Sequence, residues 1–266
     1  MNSAQLIEMI HKNPHAIVSI PAPTEEMKLL ALRKNGLLLE YIENPTEEMK
    51  KLALENNPHS IRFIDAPTEE MMLKAVQSGW TNLEYIKQPT EQVIRLALSQ
   101  AGWAIKFLPT PSEELQLLAV RRNYDAIRFI KDPFPSVQEE AVKISYDALR
   151  YISTPTYQAE LIAVRNNEEA IKFINNLSKD KVLEFLKVNI LVLKYVKKSV
   201  TKEELEAAVK EVISQETVEE QYVRNFLNYH TIEQSAINQI DKLMFLHRYG
   251  SKRAKKIAVD EKLKMI

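Results

Sequence analysis

The chain has 266 residues, 45% hydrophobic and 27% charged, with 36 basic residues balanced by 36 acidic ones. That is the composition of a folded globular protein and argues against a disordered or membrane-embedded one. With no cysteine in the chain, disulfide frameworks, thiol catalysis and thiolate zinc sites are excluded, and the reducing cytoplasm is the expected compartment.

The first residues, MNSAQLIEMIHKNP, are interrupted by Glu8 and His11 and contain no signal-peptide core. No apolar run approaches the ~20 residues a spanning helix needs, so no membrane partner is expected. From here a period takes over. Ala31, Ala53, Ala75, Ala97, Ala119, Ala141 and Ala163 stand 22 residues apart, as do the prolines from Pro23 to Pro155 and the aromatics from Tyr41 to Tyr195. Agreement of three residue classes on one interval marks a tandem array, here nine copies over residues 1–198.

Residues 45–66, PTEEMKKLALENNPHSIRFIDA, show how one copy folds. Thr46 is a helix N-cap, and Glu47 and Glu48 sit where the helix dipole favours negative charge. Met49, Leu52, Ala53 and Leu54 form an apolar face at helical spacing, with alanine at its centre for close approach of a neighbour. Asn57 belongs to a column (Asn35, Gly79, Asn123, Ser145, Asn167, Asn189) of residues that tolerate a left-handed C-terminal cap. A shorter second helix follows, with Pro58 in its first turn and Ile61 and Ile64 facing the core beside Phe63. Each copy is therefore predicted to be helix, turn, short helix and proline-containing loop. The fold class is all-α, an α-solenoid of nine helix-turn-helix repeats whose extended surface, rather than a pocket, meets partners.

The ninth copy is degenerate: Leu177 replaces proline, Lys181 the apolar first-turn residue and Phe185 the core alanine. Residues 199–266 leave the period and are read as a C-terminal helical cap with a basic tail. TKEELEAAVKEVISQ opens on a capping box, Thr201 with Glu204, and further helices are expected in ETVEEQYVRNFLNYH, in TIEQSAINQIDKLMFLHRYG ending at Gly250, and in SKRAKKIAVDEKLKMI.

The combination of AIRFI or ALRYI with Pro-Thr/Ser-Glu-Glu, an apolar stripe, Ala-Val and Asn resembles short helical repeats of unassigned function found in bacteria, phages and large DNA viruses. More distantly it is similar to leucine-rich-variant and HEAT-type arrays. The resemblance covers residues 1–198, implies an α-solenoid and transfers no site residue.

Catalytic features are not expected. His11, His15, His59, His230 and His247 have no metal-ligand spacing, and the four glycines are isolated, so no phosphate loop, metal or cofactor is expected. The paired carboxylates at helix starts are explained by the dipole. A charge ladder is the more informative feature. One position of the second helix reads Glu40, Arg62, Glu84, Lys106, Arg128, Arg150, Lys172 and Lys194, and a second row reads Arg121, Lys143, Arg165 and Lys187. Charge is also uneven along the chain: residues 1–100 hold 10 bases against 13 acids, whereas residues 242–264 hold eight bases against two acids. The candidate partner-binding residues are Lys106, Arg128, Arg150, Lys172 and Lys194, with Lys252, Arg253, Lys255 and Lys256 of the basic tail. Two functions compete: a non-enzymatic protein-interaction scaffold, adaptor or inhibitor that meets another protein, such as an acidic surface, or a nucleic-acid-binding protein that uses the same cations on phosphates.

Overall fold

The structure is a computed structural model that describes residues 2–229 and 240–263. Every regular element among the described residues is helical, and the fold is an all-α helical-repeat solenoid. The chain folds as two compact units, Met1–Asp132 and Pro133–Ile266. The division falls at the start of the seventh repeat, so the second unit holds the last three repeats together with the C-terminal helices.

The first unit contains α1 (Ser3–Lys12), α2 (Glu25–Lys34), α3 (Glu47–Asn56), α4 (Glu69–Ser78), α5 (Glu91–Gln100) and α6 (Glu113–Arg122), each of ten residues. A six-residue 3₁₀ helix follows each, as in Pro58–Phe63 and Gly102–Phe107. The caps act as the sequence implies. The hydroxyls of Thr24, Thr46, Thr68 and Thr90 accept from the third helical amide at 3.3 to 3.4 Å, and Asn2 closes a reciprocal box with Gln5. The core alanines Ala31, Ala53, Ala75, Ala97 and Ala119 are wholly buried. They let successive helices approach closely enough to bury the leucine or valine that follows each.

The asparagine column differs from expectation. Asn13, Asn35 and Asn57 are extended (φ between −140° and −149°) rather than left-handed, and each side chain accepts from the amide two residues on, so it starts the 3₁₀ helix. Among the described non-glycine residues, positive φ occurs only at Asn44 and Asn176, both in loops between repeats. Short polar side chains serve either geometry, and here the local side-chain hydrogen bond selects the extended one.

The aromatic column also departs from expectation. Ile61 and Ile64 are buried, but Phe63 is half-buried, and Tyr41, Tyr85 and Phe129 are exposed. A 3₁₀ helix has three residues per turn, so residues three apart eclipse and form the buried stripe. The residue two after the first isoleucine is thereby turned away from the core.

The second unit contains α7 (Pro135–Ile144), α8 (Tyr157–Asn166) and α9 (Lys179–Val188), again ten residues each with following 3₁₀ turns. Pro135 at the first helical position replaces the usual cap in α7. After the one-turn α10 (Leu193–Val196) come α11 (Lys202–Ile213) and α12 (Glu220–Asn228). α11 packs on α9 and α12 on the Ile190–Val192 turn, leaving Phe185, Leu186 and Ile190 without exposure. The Tyr222 hydroxyl donates to the Leu186 carbonyl at 3.0 Å and is buried, which raises its pKa strongly. α11 and α12 thus lie against the ninth repeat.

Two last helices, Lys242–Tyr249 and Lys252–Leu263, complete this unit; the first ends at Gly250 as expected. The start of the segment TIEQSAINQIDKLMFLHRYG and the histidine His230 lie outside the described residues, as do residues 264–266. The Lys252–Leu263 helix is more than a basic tail. Its Ala254, Ile257 and Ala258 are buried, and its inner face packs on α12. Glu261 joins Arg224 and Asn228 of α12, the latter at 2.8 Å.

Candidate functional interface

Within each unit the ladder cations and the column aromatics share a surface, because both lie on the sides of the 3₁₀ helices left outside the buried stripe. In the first unit the Arg62 guanidinium lies 4.6 Å from the centroid of Phe63, and Lys106 Nζ lies 4.6 Å from Phe107 and 5.3 Å from Trp80. Arg128 stacks 4.7 Å from Phe129 and sits 3.7 Å from the Asp125 carboxylate. In the second unit Arg150 lies 5.3 Å from Phe173 and 4.0 Å from Asp147, and Lys172 lies 5.1 Å from Tyr195 and 3.1 Å from Glu169. Lys194 meets Glu168 at 2.6 Å. Cation–π contact fixes Arg62, Lys106, Arg128, Arg150 and Lys172 over their rings while leaving the outer edge of each to solvent.

The acidic partners have no separate mark in the sequence pattern. Asp125, Asp147 and Glu169 occupy the second position of their 3₁₀ helices, one turn before the ladder base, and so oppose it at i, i+3. Glu40 and Glu84 stand at the ladder position itself in two early repeats. The surface is thus aromatic and of mixed charge rather than uniformly basic.

The second basic row has a structural use at one end. Lys187 bridges Glu184 and Glu211, both at 2.8 Å, and so ties α9 to α11; Lys143 lies 3.9 Å from Glu139 of its own helix. Lys187 is held protonated above the ordinary lysine range, chiefly by its hydrogen bond to Glu184.

The C-terminal candidates separate into two groups. Lys252, Lys255 and Lys256 share one helix face at i, i+3, i+4 and are exposed. Arg253 reaches instead to the Val218 carbonyl at 2.9 Å, and the Glu216 carboxylate accepts from the Lys252 and Arg253 amides at 3.1 and 3.3 Å. Glu216 thereby compensates the helix N-terminus, and Arg253 anchors the chain before α12.

One set of contacts between repeats has no signature in a single repeat. Side chains near the end of one first helix satisfy the last carbonyls of the preceding one. Asn56 Nδ2 donates to the Arg33 carbonyl at 2.9 Å, Gln100 Nε2 to that of Val76 at 2.7 Å, and, in the second unit, Asn189 Nδ2 to that of Val164 at 2.9 Å.

Among the described residues no three metal-ligating side chains gather, and no helix is long and apolar enough to cross a membrane. No known family model, curated protein or solved structure matches this chain.

Proposed function

We propose that this protein is a non-enzymatic interaction scaffold, an adaptor or inhibitor in the cytoplasm, whose 3₁₀-helix surface binds another protein. The observation that carries this reading is the pairing of three ladder cations, Arg128, Arg150 and Lys172, with both a ring and a carboxylate. Phosphate binding draws its affinity from counterion release by uncompensated cations. Arg128, Arg150, Lys172 and Lys194 already have acidic partners. Half-exposed tyrosine, tryptophan and arginine in a mixed-charge setting is the composition favoured at protein interfaces. Within such a surface a partner would meet rings and charged pairs whose positions are already fixed.

Nucleic-acid binding is the second reading, favoured by Lys106 between Trp80 and Phe107, an arrangement on which a base could stack. The test compares the full chain with a variant carrying Lys106, Arg128, Arg150 and Lys172 all changed to Glu. Partners are recovered from source cells with and without nuclease, and binding to single-stranded oligonucleotides is measured across salt. The scaffold reading expects nuclease-resistant capture of a defined protein that the variant loses while keeping its helicity. Nuclease-sensitive capture, with affinity falling steeply in salt, would replace it with the second reading.

A further inference from the structure

The Lys252–Leu263 helix is apolar on two sides. Its inner side, with Ala254 and Ile257, is covered by α12. Its outer side carries Val259 and Leu263, 57% and 63% exposed, beside the 46% exposed Leu243 of the Lys242–Tyr249 helix. The two helices enclose a groove of about 340 Å³ whose floor is the buried Leu246 and Ala258 and whose walls are Leu243, Val259 and Leu263. A surface helix needs one apolar face for its own packing, so the second face marks a binding surface.

The rim of this groove selects its occupant. Lys255 and Lys262 lie along it at i and i+7 with Val259 between them, and both are exposed. Among the described residues no carboxylate lines the groove; on the same helix Glu261 turns to Arg224 and Asn228, and Asp260 is exposed beside Val259 without lining it. A second copy of this chain docked symmetrically would set these lysines against their own counterparts. Helix-in-groove recognition by an apolar floor and walls, with cations at the edge, is complementary to the opposite pattern.

We infer that the groove between the last two helices is a docking site for an acidic amphipathic helix of a partner protein, with apolar residues at i, i+3, i+4 and i+7 flanked by Asp or Glu. This site does not depend on the 3₁₀-helix surface being the partner-binding face.

The test uses the full chain and a synthetic amphipathic peptide of three to four helical turns, leucine at those positions and glutamate on both flanks. A second peptide carries lysine in place of glutamate. Fluorescence anisotropy should show binding of the acidic peptide, weakened about tenfold or more by Val259→Asp with Leu263→Asp. Lys255→Glu with Lys262→Glu should exchange the preference in favour of the lysine peptide. All four positions are exposed, and circular dichroism of each variant should match the parent. Equal binding of both peptides, or no effect of either pair of substitutions, overturns the inference. So does binding of vesicles containing phosphatidylserine without binding of the peptide, or concentration-dependent dimerisation that Val259→Asp abolishes.

Discussion

Lys172 Nζ lies 3.1 Å from Glu169 Oε1, and the Tyr195 ring and hydroxyl complete the same cluster, the hydroxyl donating to Glu169 at 3.3 Å. The hydrogen bond from Lys172 is the main reason that Glu169 is held below the ordinary carboxylate value, with Tyr195 and Lys194 adding to it. Lys172 is correspondingly held above the ordinary lysine value, first by Glu169. The signs define a window. The lowered Glu169 pKa contributes stability above its unfolded value, near 4.3, that is lost as pH falls through the folded value. The raised Lys172 pKa contributes stability below its unfolded value that is lost as pH rises through the folded one. NMR titration should place the Glu169 midpoint below that of a free glutamate, and Lys172→Gln should move it back up. An unmoved midpoint in that variant would mean the pair does not persist in solution.

Two glycines that look alike in sequence should respond oppositely to alanine. A Cβ on Gly102 would fall 2.1 Å from the Ala119 carbonyl oxygen, in the neighbouring repeat, while the Gly102 amide donates to Asn123 Oδ1 at 2.9 Å. Gly102→Ala must push two backbones apart and should cost roughly 1 to 3 kcal/mol. Gly79 is extended, and its nearest neighbour to a new Cβ is Thr81 Oγ1 at 3.9 Å. Gly79→Ala should be neutral or stabilise by about 0.4 to 1 kcal/mol by restricting the unfolded chain. Denaturant midpoints of the two variants on the same side of the parent would contradict this account.

Whatever one repeat decides locally is legible in its sequence. The alanine column, the Thr and Ser caps and the short second helix follow from side chains acting on their own turn, and they stand where the period places them. Asn57 is ambiguous in sequence because the same side chain suits a left-handed C-cap and an extended N-cap, and only its bond to the His59 amide separates the two. Phe63 is ambiguous because a large apolar ring beside Ile64 invites a core reading, whereas two residues after Ile61 is the side of the 3₁₀ turn that faces away from the buried stripe. The Asn56 contacts with Arg33 and Gly36 join residues 23 and 20 apart, a relation that emerges only when repeats stack. At the C-terminus, Ala254 and Ile257 at i, i+3 are a packing signal hidden within a basic run.

Glu160 is 3% exposed and meets Lys181 at 2.5 Å. Its two preceding counterparts are Gln116 and Gln138, buried side chains whose Nε2 groups donate to the Pro111 and Pro133 carbonyls, each at 3.1 Å. Lys181→Met strands a buried carboxylate and should cost about 3 to 5 kcal/mol. Adding Glu160→Gln should recover most of that loss, because the amide can donate to Pro155 as its counterparts do to their own prolines. A double variant no more stable than Lys181→Met would show that the glutamine arrangement does not transfer to this repeat.

Truncation separates a packed cap from an appended tail. A chain ending at Lys198 uncovers Phe185, Leu186 and Ile190 and removes Tyr222 from the Leu186 carbonyl, so it should aggregate. A chain ending at Gly250 keeps α11 and α12 but loses the helix that covers α12 and supplies Glu261 to Arg224. It should therefore remain largely helical, melt below the full chain and lose protection from hydrogen exchange along α12. If its melting temperature instead equals that of the full chain, the Lys252–Leu263 helix contributes nothing to the cap, and its buried Ala254 and Ile257 are packed without energetic consequence.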